Sequence, residues 1–164
     1  MSLKAHLREL TREDYRVLVP IFKQELPFGD KLRDERILAD LSASEGWAVV
    51  DSDSGEVVGA VTINGLCPLH YCTIHAAIKR EYWGAWRSEQ DLRMVYRHLF
   101  VTLDLVKVKS YAIYGVTYHA AKCLDSMGFK VEGIDRCGGR TPDGKVFDVV
   151  LYGLLREECK WITE

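Results

Sequence analysis

Apolar and polar positions change their period several times along the chain, and each change marks an element. Lys4 to Leu10 sets His6 and Arg8 in alternation with Ala5, Leu7 and Glu9, which predicts a short first strand. Thr11-Arg-Glu-Asp14 has the form of a capping box, with Thr11 as N-cap and Asp14 at the third helical position. The helix that follows should bury Tyr15, Leu18 and Phe22, and Pro20 should kink or break it. Pro27-Phe28-Gly29-Asp30 is a break, and a second helix is expected from about Lys31 to Ala43, apolar at Ile37, Leu38 and Leu41. Phe28 falls between the two helices, where a segment either lines a substrate cleft or forms a plain surface loop.

Two β-branched runs, Gly46 to Val50 and Glu56 to Asn64, then flank Asp53-Ser54-Gly55 and predict a hairpin. Gly59 interrupts its second strand and predicts a bulge or close packing. Gly65 to Pro68 reads as another turn. His70 to Ile78 reads as a buried strand whose last apolar part carries the small side chains of Ala76 and Ala77. Lys79 to Arg87 is a loop with one glycine, Gly84. Ser88 opens a helix with Leu92, Val95, Leu99 and Leu103 at helical spacing. Val106 to Tyr114 is a further strand, and the helix before it permits it to run parallel to the 70–78 strand. Tyr118 to Met127 is a short helix stopped by Gly128. Phe129 to Cys137 and Lys145 to Leu155 form a last hairpin, turned by Thr141-Pro-Asp-Gly144. The order β-αα-βββ-α-β-α-ββ predicts an α+β fold: one domain over residues 1–164, a mixed, mostly antiparallel sheet of about seven strands flanked by helices.

Composition narrows the function classes. A chain of 164 residues with 48% apolar and 28% charged residues suits one soluble domain with a real core. The net charge of −2, with both signs interspersed and no block of Lys or Arg, argues against a nucleic-acid partner. No apolar run approaches a membrane span, and MSLKAHLREL lacks a signal-peptide core, so no membrane and a cytoplasmic location are expected. The five cysteines form no CxxC and the five histidines no HxH or HExxH, so no metal is expected.

The stretch from His70 to Leu105 carries the candidate chemistry. A loop that turns straight from a strand into a helix aims free backbone N–H groups, and the positive end of the helix dipole, at one point. That point favours a phosphate, although many such joints bind nothing.

The order of elements resembles that of the GCN5-related N-acetyltransferases. WAVVDSDSGEVVGAVTI is similar to that family's hairpin, with its turn glycine (Gly55) and strand glycine (Gly59). AAKCLDSMGFKVEGIDR resembles a passage of the subgroup that includes the ribosomal-protein N-terminal acetyltransferases, through Gly128, Phe129, Glu132, Gly133 and Arg136. DGKVFDVVLYGLLREE resembles the same subgroup's last hairpin, through Asp143, Gly144, Asp148, Tyr152 and Leu154-Leu155. The family's cofactor loop, Gln/Arg-x-x-Gly-x-Gly/Ala, falls on Trp83, Gly84, Ala85, Trp86, Arg87 and Ser88. Three positions depart from it: Trp83 replaces the polar residue, Trp86 the central glycine and Ser88 the small residue. Thr117 stands where the family often has asparagine, and Leu124 where many members place a tyrosine acid.

The resemblance implies transfer of an acetyl group from acetyl-CoA to a primary amine on a protein N-terminus, a peptide or a small molecule. It implies that Ala76, Ala77 and Ile78 pair with the pantetheine arm, and that N–H groups from Trp83 to Ser88 hold the diphosphate. His75 is then the candidate general base and a structural histidine the alternative. Tyr118 and Tyr114 are candidate acids, and Thr117 is either an orienting hydroxyl or the cap of the next helix. His119 and Lys122 read as surface residues. A homodimer is left open. The competing reading is a domain of this fold that has lost catalysis and serves as a CoA-binding or assembly module, motivated by Trp83 and Trp86.

Overall fold

The structure is a computed structural model that describes residues 3–163, apart from the side chain of Tyr118. Seven strands run in the hydrogen-bonded order β1-β2-β3-β4-β5-β7-β6. They are β1 (Ala5–Glu9), β2 (Glu45–Asp51), β3 (Val57–Cys67), β4 (Tyr71–Ile78), β5 (Lys107–Ile113), β6 (Lys130–Arg140) and β7 (Val146–Leu155). The helices are α1 (Tyr15–Glu25), α2 (Asp34–Ser42), α3 (Glu89–Arg97) and α4 (Tyr118–Ser126). The chain divides into two compact units, one of residues up to 64 with 74–94, the other of 65–73 with 95 onward.

In the first unit β1 pairs antiparallel with β2 from Ala5↔Asp51 to Glu9↔Trp47, and β2 with β3 from Glu45↔Ile63 onward. A register shift at Val49/Val50 lies beside Gly59, so a bulge and close packing both occur there. A Cβ on Gly59 would stand 2.6 Å from the Ala77 carbonyl oxygen and 2.6 Å from the Ile78 Cα, so only glycine lets β3 come this near to β4. Leu18, Ile21 and Phe22 of α1 and Ile37 and Leu41 of α2 bury against Ala60 and Ala77. The capping box forms: Thr11 N–H and hydroxyl both donate to Asp14 Oδ2, at 2.9 and 3.0 Å. Arg8 completes it with two bonds to the Asp14 carboxylate, 2.8 and 2.7 Å. This ties β1 to the entry of α1.

Some boundaries differ from the pattern. α1 continues past Pro20, which does not break it. α2 starts at Asp34 rather than Lys31, because Gly29–Lys31 closes a 3-10 turn and the backbone is extended at Arg33; Leu38 lies exposed. β3 continues through Gly65 to Cys67, and the turn falls at 68–70, where Leu69 takes a left-handed backbone.

In the second unit Tyr71–Thr73 pairs in parallel with Lys107–Lys109, β5 antiparallel with β7 and β7 with β6. Leu99, Phe100, Leu105, Val108 and Leu154 are fully buried. After Arg97 the helix widens into one π turn, His98–Thr102, where Leu103 N–H reaches His98 O at 2.9 Å. The rings of Tyr96 and Phe100 stack 6.2 Å apart, and the Tyr96 hydroxyl reaches Met127 Sδ at 3.7 Å. Gly128, with φ of 93°, ends α4.

Candidate functional site

The sequence candidates divide between the two units. His75, Ala76, Ala77, Ile78 and the loop Trp83–Ser88 belong to the first; Thr117 and Tyr118 belong to the second.

The main chain of β4 sets the first group. His70 O accepts from Val106 and Lys107 N–H at 2.9 and 3.0 Å, and Lys79 N–H donates to Val58 O at 2.9 Å. Strand groups alternate in direction, so the even-numbered residues turn their N–H and C=O to the edge away from β3. The parallel ladder along that edge ends at Thr73. Ala76 and Ile78 therefore lie on the unladdered end. At Ile78 the carbonyl accepts the Trp83 indole N–H at 2.8 Å.

The loop begins with a 3-10 turn, Arg80–Tyr82. Trp83 N–H donates to Arg80 O at 3.2 Å and Ala85 N–H to Tyr82 O at 2.9 Å. These two amides are spent inside the turn, which corrects the expectation that every N–H from Trp83 to Ser88 faces a ligand. Gly84 is exposed, and a Cβ built there meets nothing within 4 Å. Trp86 is buried, at 5% exposure, and its backbone is not left-handed, so an indole at the family's glycine position carries no backbone strain. Arg80 places its guanidinium 5.6 Å from the Trp83 ring centre.

Ser88 caps α3. Its hydroxyl accepts the Asp91 N–H at 3.1 Å and donates to Asp91 Oδ2 at 2.5 Å, and Asp91 Oδ1 accepts the Leu7 N–H at 3.2 Å. Glu89 and the buried Asp91 thus place two carboxylates in the first turn. They offset part of the positive helix end within the protein itself. For an anion the loop offers the amides of Gly84 and Trp86 and the positive charge of Arg80.

His75 is half-buried on β4. Loss of hydration pushes its pKa down to about 4, against a smaller upward pull from the Asp40 carboxylate. The imidazole is neutral at pH 7 and a weaker base than an ordinary histidine. Sequence reasoning missed the polar chain beginning at the same helix end. Ser44 hydroxyl donates to Asp40 O (2.6 Å), Asn64 Nδ2 to Ser44 Oγ (2.5 Å), and Thr62 hydroxyl to Asn64 Oδ1 (3.1 Å). These residues come from a helix end and a strand, so no spacing along the chain marks them.

In the second unit a hollow of about 270 Å³ opens at the end of β5. It is lined by Ile113, Tyr114 and Thr117, by Ala121 of α4, and by Val150 and Tyr152 of β7. Thr117 Oγ1 accepts the Ile113 N–H at 2.7 Å and donates to Ile113 O at 3.1 Å. The hydroxyl closes back on the strand and does not cap α4, which corrects the cap reading. Tyr118 opens α4, and its side chain lies outside what the structure describes. Tyr152 is buried, and desolvation raises its pKa. In the sequence it stands out only through the last hairpin's resemblance.

This order of strands and helices is the fold of the GCN5-related N-acetyltransferases. No protein-family model and no curated protein matches the sequence. Among solved structures the chain is similar to a GNAT-family acetyltransferase from Bacillus anthracis, at 15% identity over 96% of this chain and 100% of that one, TM-score 0.72. It is similar to a ribosomal-protein-S5-alanine acetyltransferase from Vibrio fischeri, at 17% identity over 94% of each chain, TM-score 0.69. A chimera of the Vibrio cholerae spermidine N-acetyltransferase SpeG with hSSAT matches at 19% identity over 98% of this chain and 99% of that one, TM-score 0.73. At these identities the likeness is one of fold.

Proposed function

We propose that the chain, acting as one domain, is an acetyl-CoA-dependent N-acetyltransferase whose acceptor is a primary amine on a protein N-terminus, a peptide or a small molecule. The observation that carries this reading is the end of β4. Its main-chain edge leaves the parallel ladder after Thr73, presents Ala76 and Ile78, and runs directly into the loop that opens α3. An extended amide-bearing arm can pair with such an edge, as a further strand would. Arg80 and the remaining amides of the loop suit its diphosphate.

The chemistry asks little of side chains. The neutral amine attacks the thioester carbonyl, a C–N bond forms, and the carbonyl electrons move onto oxygen. Collapse of that oxyanion breaks the C–S bond, and the thiolate leaves and takes a proton. The Ile78 N–H is assigned to the oxyanion, where a fixed donor lowers the barrier most. His75, neutral at working pH, is assigned to take the ammonium proton directly or through water. In the second unit Tyr118 and Thr117 keep the roles the resemblance implies, an acid and an orienting hydroxyl, and Tyr114 and Tyr152 line the hollow there. The cytoplasm is the proposed location, a setting that suits a chain with five cysteines, two of them buried. Among the described residues no helix is long and apolar enough to cross a membrane.

A second reading has one specific observation in its favour. The Trp83 indole N–H already donates to the Ile78 carbonyl, on the edge the arm would use. A non-catalytic module of the same fold would keep that bond. Thiol release during incubation with acetyl-CoA and a panel of amines and N-terminal peptides separates the two. Amine-dependent release supports the transferase; a CoA-binding protein that releases no thiol with any acceptor is the module.

A further inference from the structure

We propose that Asp51 is a positioning residue for the loop after β4: through Tyr82 it lets the β2–β3 hairpin turn set where the loop amides stand. The inference rests on the transferase reading for its functional meaning, and on geometry for its existence.

Asp51 ends β2 and is buried at 5% exposure. Its two carboxylate oxygens do different things. Oδ1 gathers the turn, accepting Asp53 N–H at 3.0 Å, Ser54 N–H at 2.6 Å and the Ser54 hydroxyl at 2.8 Å. An Asp that folds its own turn needs no more than this. Oδ2 reaches away from the turn and accepts the Tyr82 hydroxyl at 2.8 Å, across 31 residues of sequence. Tyr82 is the last residue of the 3-10 turn; its N–H donates to Lys79 O and its carbonyl accepts the Ala85 N–H, both at 2.9 Å. The next residue is held as well, by the Trp83 indole on Ile78 O. The start of the loop is thus fastened on two sides, to the hairpin and to β4.

A carboxylate close to an anion site would repel the anion if its charge faced it. Four donors consume this one, which suits a group that places the loop and touches no ligand. The same donors hold the Asp51 pKa at about 2, and the bond to Asp51 lifts Tyr82 to about 12. A carboxylate with a depressed pKa keeps its contribution above its ordinary value of 3.8 and loses it as pH falls toward 2. A phenol with a raised pKa keeps its contribution below 10.0 and loses it as pH climbs toward 12. The fastening is therefore constant between those limits.

The test compares wild type, Tyr82→Phe and Ser54→Ala by CoA titration calorimetry, acetyl-CoA kinetics and amide hydrogen exchange over residues 79–88. Tyr82→Phe keeps the ring and removes the bond. The expected result is a Kd for CoA and a KM for acetyl-CoA raised about tenfold, with kcat at saturation unchanged. The loop amides should exchange faster, and the loss of affinity should be the same from pH 5 to 9. Ser54→Ala removes one hydroxyl donor to Oδ1 but keeps both backbone N–H bonds of the turn and the Tyr82 bond, and should leave CoA affinity as in wild type. Wild-type affinity with unchanged loop exchange in Tyr82→Phe overturns the proposal, and so does equal weakening in both variants. Should wild type bind no CoA, the transferase reading fails by itself; faster loop exchange in Tyr82→Phe would then still support the positioning role, and unchanged exchange would overturn it.

Discussion

At the scale of single residues, His75 shows how far burial changes chemistry that a residue type suggests. Histidine in a strand beside a cofactor edge reads as a base titrating near neutrality. In the fold, its pKa falls to about 4. A depressed pKa contributes stability that is complete above the unfolded value of 6.5 and lost as pH falls through 4. His75→Gln should therefore lose less unfolding free energy between pH 6.5 and 4 than wild type, measured by urea denaturation at several pH values. An identical slope in the two proteins would contradict the burial account. Gly59 makes a second case at this scale. The sequence marked it as a bulge or a close approach, and both occur within two residues. Gly59→Ala sets a methyl against main-chain atoms that cannot swing aside, and should cost about 2–3 kcal/mol. For a chain of this size that is a fall in Tm of roughly 5–10 °C, read by calorimetry; a Tm within a degree of wild type would contradict the close approach.

At the scale of elements, the strand–loop–helix stretch was legible in kind and not in detail. The apolar spacing of Leu92, Val95, Leu99 and Leu103 marked the helix; the first three are buried, Leu99 in the π turn after α3, while Leu103 ends that turn half-buried. The π turn after Arg97 left no mark, because one extra residue per turn does not disturb so short a repeat. Within the loop, pattern reading treated Trp83 to Ser88 as equivalent donors. The 3-10 turn spends two of those amides, and the bond from Tyr82 to Asp51 joins positions no local window spans. Thr117 misled for the same reason: a threonine before a helix reads as a cap, yet its hydroxyl prefers the Ile113 main chain four residues back. Gly84 offers the cleanest handle on the element, since a Cβ there meets no protein atom. Gly84→Val should keep the wild-type Tm within about 2 °C and weaken CoA binding about tenfold or more, by calorimetric titration. Equal affinity would remove Gly84 from the cradle.

At the scale of the whole molecule, topology was the most legible feature. Among the described residues the strands and α-helices follow the expected order, and the parallel pairing of Tyr71–Thr73 with Lys107–Lys109 falls where a helix crosses over. That much depends on alternation, turn residues and crossover length, which sequence records directly. The division into two compact units was not legible, because no linker or change of composition marks it. The acceptor is not written in topology either; enzymes of this fold act on substrates as different as a ribosomal protein and spermidine. The central claim is that the edge of β4 and the loop behind it hold acetyl-CoA. Thermal unfolding followed across a titration with acetyl-CoA tests it most directly, since a ligand of the native state alone must raise Tm as its concentration passes Kd. The account predicts a progressive rise with acetyl-CoA and with CoA, equivalent to about 2.7 kcal/mol at a hundredfold excess over Kd, and none with a control nucleotide. A Tm that stays constant to saturating acetyl-CoA would contradict it.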